Sequence, residues 1–145
     1  MSAWIWDSSL SVGIDVIDNQ HRRIVEYINE LDAAIAQKDR DSISLVLSEL
    51  VDYTMTHFAF EESIMIDGGY PFADAHKKVH EAFASQVRQF QARFSQGQDI
   101  SKRLRAELQI WLFNHIKRDD KDYAPYVKKV QKKGWIGGLV HRFFG

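Results

Sequence analysis

Hydrophobic residues recur at alternating intervals of three and four in four stretches of the chain, which predicts four helices that share one core. An apolar stripe with this spacing is typical of the seam of a left-handed helix bundle. The predicted helices span residues 18–37, 41–65, 72–95 and 100–120. Their inward positions are, helix by helix, His21, Ile24, Ile28, Leu31, Ile35; Ile43, Leu47, Leu50, Thr54, His57, Glu61, Ile64; His76, His80, Phe83, Val87, Phe90, Phe94; and Leu104, Leu108, Trp111, His115.

Short connections separate these predicted helices. Lys38–Arg40, Asp67–Pro71 and Gln96–Asp99 leave only a few residues between one helix and the next. Connections of this length join antiparallel neighbours. The sequence therefore predicts an all-α fold, an up-down-up-down four-helix bundle.

Two further segments flank the bundle. Residues 1–17 mix tryptophan and aliphatic residues around Gly13, which is typical of an ordered but irregular arm, and Asp18 is the expected N-cap of the first helix. The arm and the bundle form one predicted domain over residues 1–126. Residues 127–145 form a basic and aromatic C-terminal extension. We expect this extension either to fold back on the bundle or to touch an anionic membrane surface or a partner protein.

Five of the six histidines occupy inward positions of the predicted helices. They lie near the starts of the first and third helices and near the ends of the second and fourth: His21, His76, His80, His57 and His115. In an up-down-up-down bundle, the starts of odd helices and the ends of even helices meet at one end. All four helices therefore deliver a histidine to the same end of the core.

A buried metal site explains this arrangement. Burying several imidazoles and the carboxylate of Glu61 in an apolar seam is costly unless a cation compensates. The chain has no cysteine, which excludes thiolate ligands and leaves nitrogen and oxygen donors. Five imidazoles and two carboxylates are too many for one ion but suit two. Spacing alone leaves the second carboxylate open, because Asp119 follows His115 by four residues and Asp120 follows it by five.

The order of these residues resembles that of the hemerythrin family, and closely that of single-domain bacterial members. The resemblance runs over about residues 4–127, through Gln20-His21, His57-Phe58-x-x-Glu61-Glu62, His76-x-x-x-His80 and His115-x-x-x-x-Asp120. It selects Asp120 over Asp119 and implies two iron ions, Fe2+ or Fe3+, joined by an oxo or hydroxo bridge. The implied ligands are His76, His80 and His115 for one iron and His21 and His57 for the other, with Glu61 and Asp120 bridging.

The resemblance implies reversible binding of dioxygen for storage, delivery or sensing, rather than an enzyme. One iron would keep an open position, and no acid, base or reducing side chain is evident in the core rows to cleave bound oxygen. The alternatives are a di-iron enzyme acting on peroxide, nitrite or nitric oxide, and an iron-storage protein. We expect apolar residues to line the pocket: Ile24, Phe58, Trp111 and Ile116. We expect Glu62 to be a solvated neighbour of the site and His141 to lie outside it.

Composition limits the partners and the location. The net charge is −1, which gives no indication of nucleic-acid binding. The N-terminal residues lack the pattern of a signal peptide, so a cytoplasmic location is expected. Besides dioxygen, the possible partners are an oxygen-consuming protein or a membrane surface reached through residues 127–145.

Overall fold

Four long helices follow one another in a computed structural model that describes residues 3–130 and 135–145. They are α1 (Asp15–Ala36), α2 (Arg40–Asp67), α3 (Ala73–Ser95) and α4 (Ser101–His115). Helix α1 packs against α2 and α4, and α3 packs against the same two helices. The predicted all-α four-helix bundle is therefore confirmed.

The inward rows predicted from spacing form the core of this bundle. All of their residues are buried except Ile35 and Trp111, which are half-buried. Positions three and four apart on a helix lie on one face, so the alternating spacing turns each row toward the other three helices.

The described part of the N-terminal arm, residues 3–14, precedes α1 and contains one 3₁₀ turn at Ser8–Leu10. The predicted N-cap at Asp18 is wrong, because α1 begins three residues earlier and Asp18 lies inside its first turns. The Asp18 carboxylate instead accepts hydrogen bonds from the Val12 amide (2.9 Å) and the Ser11 hydroxyl (2.6 Å). It therefore ties the arm to α1 rather than capping the helix.

The predicted fourth helix continues beyond α4 through a change of helix type. A π-helical turn covers Ile116–Asp120, and α5 (Lys121–Val130) follows directly. Helix α5 packs on α2 and runs past residue 126, where the domain was predicted to end. That domain boundary stays a prediction. Residues 131–134, inside the predicted extension, lie outside the described part of the chain.

A last helix, α6 (Trp135–Phe144), packs on α2. The Trp135 indole donates a hydrogen bond to Asp67 (3.1 Å), and the ring centroids of Phe144 and Tyr53 lie 5.5 Å apart. The aromatic side chains that could have entered a membrane surface are thus turned toward the bundle, which favours the fold-back interpretation of the extension. Among the described residues, no helix is long and apolar enough to cross a membrane.

Candidate metal centre

Two adjoining clusters of buried donor atoms lie at one end of the bundle core. The first contains Glu61, His76, His80, His115 and Asp120, and the second contains His21, His57, Glu61 and Asp120. Within each cluster, the potential ligand atoms all lie within 4.8 Å of one another. We call these the three-histidine and two-histidine clusters. All seven residues predicted as ligands are thus brought together, and two carboxylates belong to both clusters.

The π-helical turn explains why Asp120 reaches the core. In a regular α-helix, a residue five positions after His115 points well away from it, whereas a π turn bonds residues five apart and restores them to one face. The Asp120 Oδ1 atom lies 3.1 Å from His115 Nε2, while the Asp119 Oδ2 atom lies 2.8 Å from His115 Nδ1. Asp120 therefore lies inside the site and Asp119 behind its histidine.

The imidazoles of the three-histidine cluster converge through their Nε2 atoms. Nε2 of His80 lies 3.1 Å from that of His76 and 3.0 Å from that of His115. Two nitrogens bound at about 2.1 Å to one ion, at right angles, lie about 3 Å apart. The spacing of these atoms therefore matches neighbouring corners of one coordination sphere.

The carboxylate of Asp120 spans the two clusters. Its Oδ1 atom lies 3.1 Å from His76 Nε2, and its Oδ2 atom lies 3.0 Å from His21 Nε2. Glu61 is shared differently, because its Oε1 atom faces both His57 Nε2 (3.1 Å) and His80 Nε2 (3.5 Å). Both carboxylates are therefore positioned between the two sets of imidazoles.

Like Asp119 behind His115, two further side chains hold the outer nitrogens of site histidines. His80 Nδ1 pairs with Glu62 Oε2 at 2.8 Å, and His57 Nδ1 pairs with Gln20 Oε1 at 2.6 Å. The expectation that Glu62 is only a solvated neighbour is wrong, because its side chain is 20% exposed and contacts His80. An ionised carboxylate oxygen can only accept, so the His80 Nδ1 atom donates, and Nε2 is the nitrogen that faces the inside of the site.

The centre of the site has too few hydrogen-bond donors for its carboxylates. Both oxygens of Asp120 and Oε1 of Glu61 are buried without a hydrogen bond of good geometry among the described residues. Inward lone pairs and carboxylate oxygens repel one another unless a cation lies between them. The donors present, nitrogen and oxygen without sulfur, therefore fit metal ions such as iron.

The electrostatics of these residues without metal point the same way. Burial opposes ionisation of Asp120, but the adjacent His115 and the other imidazoles outweigh it and hold the Asp120 pKa well below its usual range. Burial likewise opposes the charge on His115, and Asp120, then Glu61 and Asp119, outweigh it and raise the pKa of His115 to about 9. Protons thus occupy positions that metal ions would take, so metal binding releases protons.

Tyr123 contacts the site, although spacing had not indicated it. This fully buried side chain donates a hydrogen bond from its hydroxyl to Glu61 Oε2, at 2.6 Å. Burial, followed by the charges of Glu61 and Asp120, raises the Tyr123 pKa well above 10, so the phenol keeps its proton. One signal could have revealed it, because Tyr123 follows Asp120 by three residues and therefore shares its helix face.

Aromatic rings form much of the wall around the imidazoles. Phe58 stacks on His80 with ring centroids 3.9 Å apart, and Trp111 stacks on His115 at 4.3 Å. Two of the four predicted pocket residues therefore lie against the three-histidine cluster. Beside the two-histidine cluster, the ring centroid of Trp6 in the N-terminal arm lies 6.3 Å from that of His21.

The other two predicted pocket residues, Ile24 and Ile116, are buried in the core, each 1% exposed. His141 lies on α6, outside both clusters, as expected.

Comparison with known proteins identifies the class of protein that this bundle and its donor clusters define. Residues 12–127 match the family model described as the hemerythrin HHE cation binding domain. The chain is 48% identical to the bacteriohemerythrin of Stenotrophomonas maltophilia (strain R551-3) and 46% identical to that of Pseudomonas aeruginosa (strain LESB58), in both cases over the whole of each chain. A hemerythrin-like protein of Naegleria gruberi is 33% identical over 84% of this chain and 92% of its own.

A solved structure of wild-type hemerythrin superposes with a TM-score of 0.83 at 29% identity, covering 87% of this chain and 98% of its own. The chain belongs to the hemerythrin family. The cofactor of that family is a di-iron centre, which the buried His, Glu and Asp clusters suit.

Proposed function

We propose that this chain binds dioxygen reversibly at a di-iron centre and serves O2 storage, delivery or sensing. The iron ligands in this proposal are His76, His80 and His115 on one side, His21 and His57 on the other, and Glu61 and Asp120 between them. Membership of the hemerythrin family and the buried donor clusters support the proposal.

The unequal division of donors between the two clusters carries the proposal. One cluster offers three imidazoles and the other two, and both share the same two carboxylates. Three imidazoles and the two carboxylates would hold one ion, and two imidazoles with the same carboxylates would hold the other, with one protein donor fewer. Ferrous iron held there would supply the electrons that dioxygen accepts, and the cluster with fewer protein donors would leave room for dioxygen.

The residues around the ligands favour binding over further reaction. Phe58 stacks on His80 and its ring centroid lies 6.1 Å from that of His57, so one apolar ring borders both clusters. Trp111 stacks on His115. Trp6 from the N-terminal arm lies beside the two-histidine cluster. These apolar rings carry no acidic or basic group that could deliver a proton to a bound ligand.

The decisive experiment follows the diferrous protein as air is admitted and removed. We expect a visible charge-transfer band to appear with dioxygen and to disappear on degassing over repeated cycles. Irreversible oxidation on the first exposure, with turnover of added peroxide, nitrite or nitric oxide, would contradict reversible binding.

Glu61→Ala tests the shared carboxylate directly. The variant removes one of the two bridges and leaves buried imidazoles with fewer partners, so we expect it to lose much of its iron by metal analysis. Glu81→Ala, an exposed glutamate on α3, is the matched control and should retain two ions per chain. Normal two-iron loading of Glu61→Ala would count against the assignment, and more than two ions in the wild-type protein would indicate iron storage.

One observation favours a second candidate, a di-iron enzyme acting on peroxide, nitrite or nitric oxide. The Tyr123 hydroxyl lies 2.6 Å from Glu61 and is a proton-bearing group at the edge of the site. Tyr123→Phe separates the two candidates, because substrate turnover that depends on this proton would fall while reversible dioxygen binding would persist.

The physiological setting stays a prediction. A cytoplasmic location can be checked by cell fractionation, and delivery to an oxygen-consuming protein by oxygen transfer between the two purified proteins.

A further inference from the structure

The side chains behind the site histidines differ in charge between the two clusters. In the three-histidine cluster, two outer nitrogens donate to carboxylates: His80 Nδ1 to Glu62 Oε2 and His115 Nδ1 to Asp119 Oδ2, both at 2.8 Å. These carboxylates contact only the outer nitrogens, so neither competes with Nε2 for a metal ion.

The two-histidine cluster has no such anionic support in the described part of the chain. His57 Nδ1 pairs with the neutral amide oxygen of Gln20, at 2.6 Å. His21 Nδ1 is buried, and no described residue forms a hydrogen bond with it. The imidazoles of this cluster are therefore held by one neutral partner, or by none.

This difference in charge has a direct consequence for metal affinity. A carboxylate that accepts the outer N–H of an imidazole raises the basicity of the inner nitrogen and fixes the orientation of the ring. Loss of such a partner typically weakens metal binding about 10- to 100-fold. A neutral amide orients the ring but supplies no charge.

We propose that Glu62 and Asp119 make the three-histidine cluster the tighter subsite, so that it fills first and retains its ion when the two-histidine cluster is empty. This inference rests on the proposed metal site but not on dioxygen chemistry. Glu62 and Asp119 are positioning residues, because each acts through a histidine and neither touches the ion.

The two carboxylates are not expected to contribute equally. The side chain of Glu62 is 20% exposed and that of Asp119 is 44% exposed. Solvent screens the more exposed charge more strongly, so Glu62 should have the larger effect. Asp119 lies in the π-helical turn, four residues after His115, and contacts its outer nitrogen while Asp120 enters the core.

If Glu62 and Asp119 acted only because their negative charge attracts cations, any nearby carboxylate would have the same effect on metal affinity. Asp122 is exposed on the first turn of α5, close in sequence to Asp119. No described histidine lies within ion-pair distance of Asp122. It carries the same charge without the hydrogen bond, which makes Asp122→Asn the matched control for Asp119→Asn and Glu62→Gln.

Anaerobic Co2+ binding to the full-length apo-protein, followed by visible absorption, tests the inference. We expect two resolvable steps in the wild-type protein, and His21→Ala should retain the affinity and spectrum of the first. Glu62→Gln should weaken the first step about 10- to 100-fold. Asp119→Asn should weaken it less, and Asp122→Asn should leave both steps unchanged.

Several results would overturn the inference. They are an unchanged first step in both Glu62→Gln and Asp119→Asn, an equal loss in both steps, or an equal loss in Asp122→Asn. If Glu62→Gln fails to fold, Asp119→Asn decides the question, since its side chain is the more exposed. Two equal Co2+ sites in the wild-type protein would refute only the loading order, whereas binding of fewer than two ions would refute the proposed di-iron function itself.

Discussion

The two ends of the bundle are built on the same spacing but from different residues. At the metal end, the inward positions hold five imidazoles and two carboxylates. At the opposite end, they hold aliphatic and aromatic side chains such as Leu31, Phe90 and Leu104, each at most 5% exposed. Its buried cation, Arg105, is paired with Asp32 at 2.7 Å.

The difference shows what each end needs in order to fold. Burial of apolar side chains lowers the free energy of the folded state without any further partner. Buried imidazoles and carboxylates lose favourable hydration, and this loss is offset only if a bound cation interacts with them. The opposite end is therefore stabilised chiefly by apolar burial, whereas the metal end needs its ions.

Metal removal should produce the largest effect and should separate the two ends. Each ion stabilises the fold by about 4 kcal/mol when its free concentration is a thousandfold above Kd, so chelated protein should melt at a lower temperature. Hydrogen exchange should then accelerate around His57–Glu61 and His115–Tyr123 more than around Leu104–Leu108. An unchanged melting temperature, or equal acceleration of exchange at both ends, would show that the metal end does not depend on its ions more than the apolar end does.

Leu108→Ala should produce the next largest effect, in the apolar part of the core midway along α4. This side chain is 2% exposed, and a cavity at such a position costs about 2–5 kcal/mol of unfolding free energy. We expect the same loss in holo- and apo-protein and two ions per chain in both the variant and the wild type. Urea denaturation with parallel metal analysis measures both quantities, and lost iron would mean that the two ends are coupled.

Tyr123→Phe should produce the smallest of the three effects, confined to the metal end. It removes one hydrogen bond to a buried carboxylate, worth about 1.5–3 kcal/mol, without creating a cavity. Urea denaturation of the holo-protein should register this loss, while the exposed Tyr126→Phe should behave as wild type. A loss as large as that of Leu108→Ala would indicate that Tyr123 does more than support Glu61.

Spacing was sufficient to predict the helices and most of the site, for a simple physical reason. A helix has a fixed period, so residues such as His57, Glu61 and Ile64 must share a face wherever they occur. Antiparallel packing then brings His21 and His115 to the same level, although 94 positions separate them in the numbering. These relations depend only on local geometry and short connections.

Spacing failed where the helix period changes or where a contact crosses between helices. Asp119 and Asp120 could not be distinguished by the α-helical period, because the π-helical turn at Ile116–Asp120 alters it locally. Glu62 appeared to be a surface residue on α2, and only the approach of α3 brings His80 to its carboxylate. Asp18 has a side chain typical of a helix cap, but the arm folds over it, and Ser11 and Val12 of the arm donate hydrogen bonds to its carboxylate.

Residue type and helical period alone predicted the all-helical class, the inward rows and the histidines and Glu61 at one end of the core, and the family resemblance added Asp120. The tertiary structure was needed to show how Asp120 reaches the core, which histidines have anionic partners and where α6 packs. The first outcome depends on the local π-helical turn, whereas the His80–Glu62 contact and the packing of α6 depend on distances between separate helices. No period within one helix encodes such a distance, which is why the anionic partner of His80 was not predicted.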